Sequence, residues 1–565
     1  MLNFNGGFVI TDHRIIQEDI RIPATKLGGA TDRQKVVVRL TGWKRHSPYP
    51  YGEVIEVLGN AGENETEMHA ILAEYGLPYS YPEELEQEAD KIEADITDKE
   101  IKCRLDIRNI TTFTIDPDDA KDFDDALSIQ ELEDGLIEVG VHIADVTHYV
   151  HPDTPINKEA YARATSVYLV DRTIPMLPEH LSNCICSLRP DEDKLCFSVI
   201  FKLNQYAEVQ SYKIKHTVIR SNRRFTYDEA QQLIESGEGD LAKELRQLNE
   251  LAKQLRKKRF EKGAINFDRE EVKFRLDDKS RPVAVYFKEP KEANNLIEEF
   301  MLLANKTVAQ HISKIMPDAG KKGDVFVYRV HDVPDPDKLK SLSKFIKRFG
   351  YNLKQSTRKE TTSKNLNRLL KEVKGKTEQN LIETLTIRSM AKAVYSTENI
   401  GHYGLAFSHY THFTSPIRRY PDMMVHRLLD KALDGKLTVT AGLEEKSKHC
   451  SDREQQAANA ERSSIKYKQI EFLDDKIGEQ YDGIISGVTD WGIYVELIEN
   501  KCEGMIPLRE LSYQINDYFI FREDEYVVEG VRTGKTFRLG DKIRVEIETA
   551  DLIKRRLDFK LIEND

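Results

Sequence analysis

Residues 114–127, TIDPDDAKDFDDAL, hold six aspartates, Asp116, Asp118, Asp119, Asp122, Asp124 and Asp125, with Lys121 as the single cation among them. Two unit charges about 4 Å apart repel by about 1 kcal/mol in water and by about 4 kcal/mol at the effective dielectric of a protein surface. A solvated loop tolerates the first cost; carboxylates held at the mouth of a packed hairpin tolerate the second poorly. A divalent cation relieves them, and hard carboxylate oxygens with no histidine or thiolate neighbours point to Mg²⁺, Mn²⁺ or Ca²⁺. An EF-hand is excluded by spacing: a calcium loop begun at Asp116 sets Ala120 where an oxygen ligand is needed and Lys121 where glycine is needed. Magnesium at a phosphoryl site fits better, since two such ions roughly 4 Å apart activate a water and stabilise the leaving oxygen of a phosphodiester. The alternative is an acidic loop that binds nothing.

The elements that must position these carboxylates are strands. After the turn ELEDG, the segment LIEVGVHIADVTHYV puts Ile137, Val139, Val141 and Ile143 at period two, which predicts a half-buried strand beside the cluster. Ile297, Phe300, Met301, Ala304 and Val308 have the spacing of a helix with one buried face. Helical patterns continue through DKLKSLSKFIKRF and QNLIETLTIRSMAKAVY, so the middle of the chain reads as one large α+β domain. On either side lie short β-branched runs broken by Gly, Pro and Asp, which predict small all-β modules. Between the first module and the central domain, EMHAILAEYGLP and PEELEQEADKIEADI predict an acidic linker helix pair with a solvated face. The expected boundaries are 1–62, 63–100, 101–472 and 473–565.

With 565 residues the chain has material for several domains and a large core. It has no apolar run of about 18 residues and no N-terminal signal pattern, so a soluble, cytoplasmic protein without a membrane partner is expected. Cys103, Cys184, Cys186, Cys196, Cys450 and Cys502 are scattered like reduced thiols, and the C-x-C at Cys184 and Cys186 matches structural zinc spacing poorly. The net charge of −12 argues against a simple nucleic-acid coat but leaves room for an internal basic channel.

TIDPDDAKDFDDALS resembles the signature of the RNase II/RNase R family of processive 3′ to 5′ exoribonucleases. VGVHIADVTHYV, TSVYLVDRTIPMLPEHLSNCICSL, YRVHDVPDP and GHYGLAFSHYTHFTSPIRRYPDMMVHRLL agree, covering about Asp106 to Leu429, and the RRYPD and TSVYLV forms are nearer the RNase R branch. The first β module is similar to a cold-shock-type OB fold, with Arg21 where an aromatic usually stands. The last, with GVTDWGIYVEL, resembles the OB-fold RNA-binding repeat of a ribosomal protein. The resemblance implies an α+β RNB catalytic domain between OB folds, which threads single-stranded RNA 3′ ends and releases nucleoside 5′-monophosphates with Mg²⁺, as two ions, Mn²⁺ being the substitute. It implies a monomer, with ribosomes or RNA-decay assemblies as further associations.

Carried over residue by residue, the resemblance makes Asp116, Asp122, Asp124 and Asp125 the metal-binding aspartates and leaves Asp118 and Asp119 to local turn chemistry. Tyr168 matches the aromatic that holds the terminal nucleotide, and Phe267 its partner across the base; each is otherwise a core aromatic. Arg418 matches the arginine at the scissile phosphate, where a guanidinium binds two oxygens while charge builds. Arg419 and Arg427 hold phosphates or the local fold, and Glu461 lies near an acidic position known in part of the family. Trp491 and Tyr494 either stack on a base or belong to the core, and Lys554, Arg555 and Arg556 are placed to meet phosphates. His142, His331, His412 and His426 are expected to make buried hydrogen bonds. Relatives carry a further cold-shock-type barrel ahead of the one that starts near Asn5, and some a lysine-rich tail, so handling of duplexes is the property expected to differ. The rival class, an RNA-binding protein built on a dead nuclease domain, predicts loss of one of the four aspartates or of Arg418, and all five are present. A second rival, a related enzyme acting on DNA, is separated from the first reading by contacts to the ribose 2′-OH.

Overall fold

The computed structural model describes residues 2–3, 6–11, 18–43, 47–265, 271–354, 359–376 and 378–562. Its centre is a seven-stranded sheet, in the order Arg223–Thr226, Thr112–Asp116, Asp125–Glu131, Ile137–Ala144, Asp193–Leu203, Val209–Arg220, Leu105–Asp106. The five middle strands run antiparallel to their neighbours, and the two outermost join in parallel. The aspartate segment is the connection between the second and third strands of that order, at one end of the sheet.

Ile137–Ala144 is an interior strand whose last six residues are all buried, so it is covered on both faces rather than half-buried. The reason is its position: one face joins a core with Phe113, Phe197, Phe300 and Phe413, and His142 on the other face is sealed between Ser128 and Ser198. Period two in the sequence reports alternation of side chains, not whether the second face meets water. The helix Glu292–Ile315 buries Ile297, Phe300, Ala304 and Val308 as its spacing requires, with Met301 partly buried. The helix predicted to run through QNLIETLTIRSMAKAVY ends at Ser389, and Val394–Ser396 is instead a strand paired with Tyr328–Val330.

At the N-terminal side, Leu2–Asn3, Gly6–Val9, Ile20–Pro23, Tyr51–Asn60 and Gln34–Gly42 form a five-stranded sheet in that order. The following segment holds the helices Asn64–Glu74, Glu83–Ala89 and Asp98–Cys103. Three helices stand where a pair was expected; Glu83, Glu84 and Glu86 are exposed, while the apolar face of the first helix is packed, with Met68, Ile71 and Leu72 buried against Val167, Leu169, Ile174, Ala460 and Tyr467. Those last two belong to a helix, Leu443–Leu473, that runs from the central domain into the C-terminal module. That module is a closed barrel of Gln480–Val488, Gly492–Leu497, Glu503–Pro507, Arg556–Leu561 and Lys542–Asp551. A small sheet, Phe519–Arg522, Val527–Gly530 and Thr536–Arg538, is inserted in it. Among the described residues, no helix is long and apolar enough to cross a membrane.

Candidate active site

The aspartate loop is fixed from four directions. Ser187 donates its hydroxyl to the Lys121 carbonyl at 2.7 Å and accepts the Phe123 N–H at 3.0 Å. The Leu188 N–H reaches the Phe123 carbonyl at 3.0 Å, and the Ala144 N–H reaches that of Asp124 at 2.9 Å. On the other side Arg224, brought in by the parallel pairing of Arg223–Thr226 with Thr112–Asp116, donates to the carbonyls of Pro117 and, at 2.9 Å, Asp118. The fourth direction is the SPIRRYPD loop. Its Ile417 N–H donates to Asp124 Oδ1 at 2.8 Å and its Arg418 Nε to Asp124 Oδ2 at 3.2 Å.

That loop is itself built around a carboxylate. Asp422, fully buried in the first turn of the helix Tyr420–Leu433, accepts the Ser415 N–H at 2.8 Å and Arg419 Nη2 at 2.7 Å. Arg419 therefore holds the loop, while the Arg418 side chain, 42% exposed, stays open to a ligand. The carbonyl of Arg418 accepts the Ser166 N–H at 3.0 Å, and the Tyr420 N–H donates to Ala164 at 2.9 Å. This stitching draws the short hairpin Val167–Tyr168/Thr173–Ile174 to the site. Tyr168 is 40% exposed there, and the charges of Arg418, Asp122 and Asp124 all act on its hydroxyl.

Burial raises the carboxyls of Asp116, Asp122, Asp124 and Asp125 above the usual carboxylate range. For Asp125 the next cause is the charge of Asp116; for Asp116, Asp122 and Asp124 add to the effect, against Arg224. Asp116 and Asp125 thus form a mutually repelling, half-buried pair. Asp118 and Asp119 are exposed. Tyr227, the first residue of the helix Tyr227–Ser236, also sits beside the charges of Asp125 and Asp116.

Among the described residues, no group of three or more His, Cys, Asp or Glu side chains is arranged closely enough to hold a metal ion as it stands. The donor set nevertheless fits a hard divalent cation. Every available ligand is a carboxylate oxygen, two carboxyls repel each other in a half-buried setting, and Asp116 Oδ2 is buried without a hydrogen-bond partner.

Other expected residues fall elsewhere. Phe267 lies outside the described residues. Glu461 is exposed on the long helix, within the influence of Lys273 and Glu271. Arg427 is bound to the Val150 carbonyl and Asn157 Oδ1, both at 2.8 Å, and holds the fold. Trp491 is 59% exposed and its indole N–H donates to the Tyr494 hydroxyl at 2.9 Å, so this pair stands on the surface of the barrel rather than in its core. Of the basic trio, Arg555 is tied to Glu74 across a domain junction, while Lys554 and Arg556 pair with Asp551 and Asp558. His142, His331, His412 and His426 all make hydrogen bonds within the protein. Arg224, Tyr227, Ser187 and Asp422 escaped sequence reasoning. Ser187 and Asp422 lay inside quoted motifs; Arg224 and Tyr227, in RRFTYDE, gave no signal apart from chain topology.

The chain is similar to known proteins over nearly its whole length. The RNB domain matches residues 104–435, the cold shock domain 8–82 and the S1 RNA binding domain 474–561. Ribonuclease R of Aquifex aeolicus is 42% identical over 94% of this chain and 75% of its own length. Ribonuclease R of Thermotoga maritima is 37% identical over 99% of the chain and 79% of its own. Among solved structures, Mycoplasma genitalium RNase R in complex with ribose-methylated single-stranded RNA superposes with a TM-score of 0.89 at 27% identity, covering 99% of this chain and 89% of that one. With the RNB match spanning more than half its residues and near full-length identity to these relatives, the chain belongs to the RNase II/RNase R family of RNB-domain ribonucleases.

Proposed function

We propose that this protein hydrolyses single-stranded RNA processively from its 3′ end, releasing nucleoside 5′-monophosphates. Direction and processivity rest on family membership; the chemistry rests on one observation, the convergence of four buried or half-buried aspartates with Arg418 and the exposed Tyr168. Asp116, Asp122, Asp124 and Asp125 would hold Mg²⁺, which when bound places positive charge at the scissile phosphate and acidifies the attacking water. Tyr168 presents a ring on which the terminal base stacks; such stacking is worth about 1 to 3 kcal/mol for any base, which suits a sequence-blind enzyme. Arg418, aimed by Asp124, offers its free donors to the phosphate oxygens as charge builds in the transition state. The exposed Trp491–Tyr494 pair gives the barrel a second stacking surface for the same strand.

The test uses 5′-labelled single-stranded RNA with Mg²⁺ or EDTA, beside Asp124→Asn. A ladder shrinking from the 3′ end is expected only for the unmodified protein with metal. Internal cuts, activity that survives EDTA, or an active variant each refute the reading. A DNA strand and a duplex with a 3′ overhang in parallel lanes read sugar choice and handling of structure.

A further inference from the structure

Lys468 is fully buried near the end of the helix Leu443–Leu473. Its three donors meet three acceptors: Asn64 Oδ1 at 2.7 Å, the Ser280 carbonyl at 2.5 Å and Glu471 Oε2 at 2.7 Å. Asn64 opens the helix that follows the N-terminal sheet, and Ser280 lies in the turn of the hairpin Glu271–Leu276/Pro282–Lys288. Asn64 passes the contact on, because its Nδ2 donates to Asp171 Oδ2 at 2.6 Å. An ammonium only donates and a carboxylate only accepts, so the amide is locked in one orientation and works as a polar relay. Asp171 sits in the turn between Val167–Tyr168 and Thr173–Ile174, braced by Arg172, which also reaches Glu65 at 2.5 Å. One turn earlier on the long helix, Ser464 accepts the Val170 N–H at 2.9 Å. An apolar side chain of similar volume commonly serves packing at least as well as a buried charge. The charge at Lys468 therefore needs a geometric reason, and the relay supplies one.

We propose that Lys468 is a positioning residue that, through the Asn64–Asp171 relay, sets the hairpin carrying Tyr168 against Arg418 and so couples the helix between the central domain and the RNA-binding barrel to the grip on the terminal nucleotide. This rests on the assignment of Tyr168 as the terminal-base contact. Misplacing a reacting group by about 1 Å can cost on the order of a hundredfold in rate. Lys468→Met, which keeps the volume and removes the donors, is thus expected to lower kcat roughly tenfold to a hundredfold with KM held within about threefold.

The experiment measures steady-state kinetics together with the fluorescence of RNA bearing 2-aminopurine at its 3′ end, saturated with protein in EDTA. The unmodified protein quenches the base by stacking; Lys468→Met is expected to lose at least about half of that quenching. Asn64→Asp keeps an acceptor for Lys468 but sets a carboxylate against Asp171, and it should give the same defect; it also decides the matter if Lys468→Met does not fold. The double variant Lys468→Met/Asp171→Asn should be no worse than its more severe single variant, because both cut one path. Unchanged quenching and kcat in either single variant, additive losses in the double, or a lowered Tm with normal quenching below it overturn the coupling. Tyr168→Ala separates the two readings: if it leaves quenching intact, the terminal-base assignment fails, whereas loss of quenching there alone leaves that assignment standing and sinks only the relay.

Discussion

Asp124 and Arg418 are joined by a 3.2 Å hydrogen bond from Nε, while the peptide N–H of the preceding Ile417 takes the other carboxylate oxygen at 2.8 Å. The aspartate is therefore a clamp on the arginine loop as well as a proposed metal ligand, and the guanidinium is aimed before any RNA arrives. Arg418→Lys keeps the positive charge and loses the fork that both meets Asp124 and spans two phosphate oxygens. We expect kcat to fall by about 10² to 10³ with RNA affinity in EDTA within about threefold. Single-turnover kinetics and a filter-binding titration measure the two; a loss confined to affinity would make Arg418 a binding residue only.

The half-buried pair Asp116 and Asp125 makes a prediction about the protein without metal. Burial, and for Asp125 the charge of Asp116, raises both carboxyls in the folded state, so that state binds protons more tightly than the unfolded chain. Stability contributed by this pair is then lost as pH rises from the ordinary carboxylate range through the raised values. At pH 8 in EDTA, Asp116→Asn should melt roughly 2 to 6 °C above the unmodified protein. With Mg²⁺ the order should reverse, because only the unmodified protein gains from binding. Differential scanning fluorimetry with and without Mg²⁺ reads both; a variant less stable in EDTA would contradict the repulsion.

Much of this site was legible because its parts are short, contiguous motifs whose spacing is chemistry. The aspartates, Tyr168 and Arg418 stand in three such stretches, and the hairpin setting of the aspartates followed from period-two strands. What was not legible depended on pairings between distant segments. Arg224 reaches the loop only because Arg223–Thr226 joins the sheet in parallel beside Thr112–Asp116, and no local pattern encodes that choice. The segment around Asn64 reads as a linker with a solvated face because its Glu residues are interleaved with its apolar ones; Met68, Ile71 and Leu72 decide its fate once the long helix offers a partner surface. The same holds for Ile137–Ala144, since burial of a strand's second face is decided by what covers it.

Arg224 supports the aspartate loop through two backbone carbonyls and acts on the proposed ligand Asp116 by its charge. Its removal should loosen the loop rather than delete a donor. For Arg224→Ala we expect the Mg²⁺ concentration for half-maximal activity to rise about tenfold, with the rate at saturating Mg²⁺ recovering to within about threefold. A Mg²⁺ titration of activity tests this, and a rate deficit that saturating metal does not repair would assign Arg224 a direct part in the chemistry.

His216 bridges Asp145 and Asp430, with Nδ1 and Nε2 each 3.0 Å from a carboxylate oxygen. Burial alone would lower its basicity, but the hydrogen bonds and charges of the two carboxylates outweigh it, and its pKa lies above the ordinary histidine value. Arg104 also faces Asp145 at 2.7 Å and opposes the effect, while burial of Asp145 is overcome by His216 and Arg104 together, which hold that carboxyl below its usual range. A raised histidine contributes stability that is complete below its unfolded pKa of about 6.5 and is lost as pH rises through the folded value. The Asp145 contribution, by contrast, disappears only in strong acid. Between pH 6 and pH 9 the unmodified protein should therefore lose roughly 1 kcal/mol more than His216→Gln does, and taking the difference between the two proteins cancels the carboxylate pair of the active site, which titrates in both. Urea unfolding at the two pH values provides the measurement; equal losses in the two proteins would show that His216 is held neutral in the fold, its carboxylate neighbours notwithstanding.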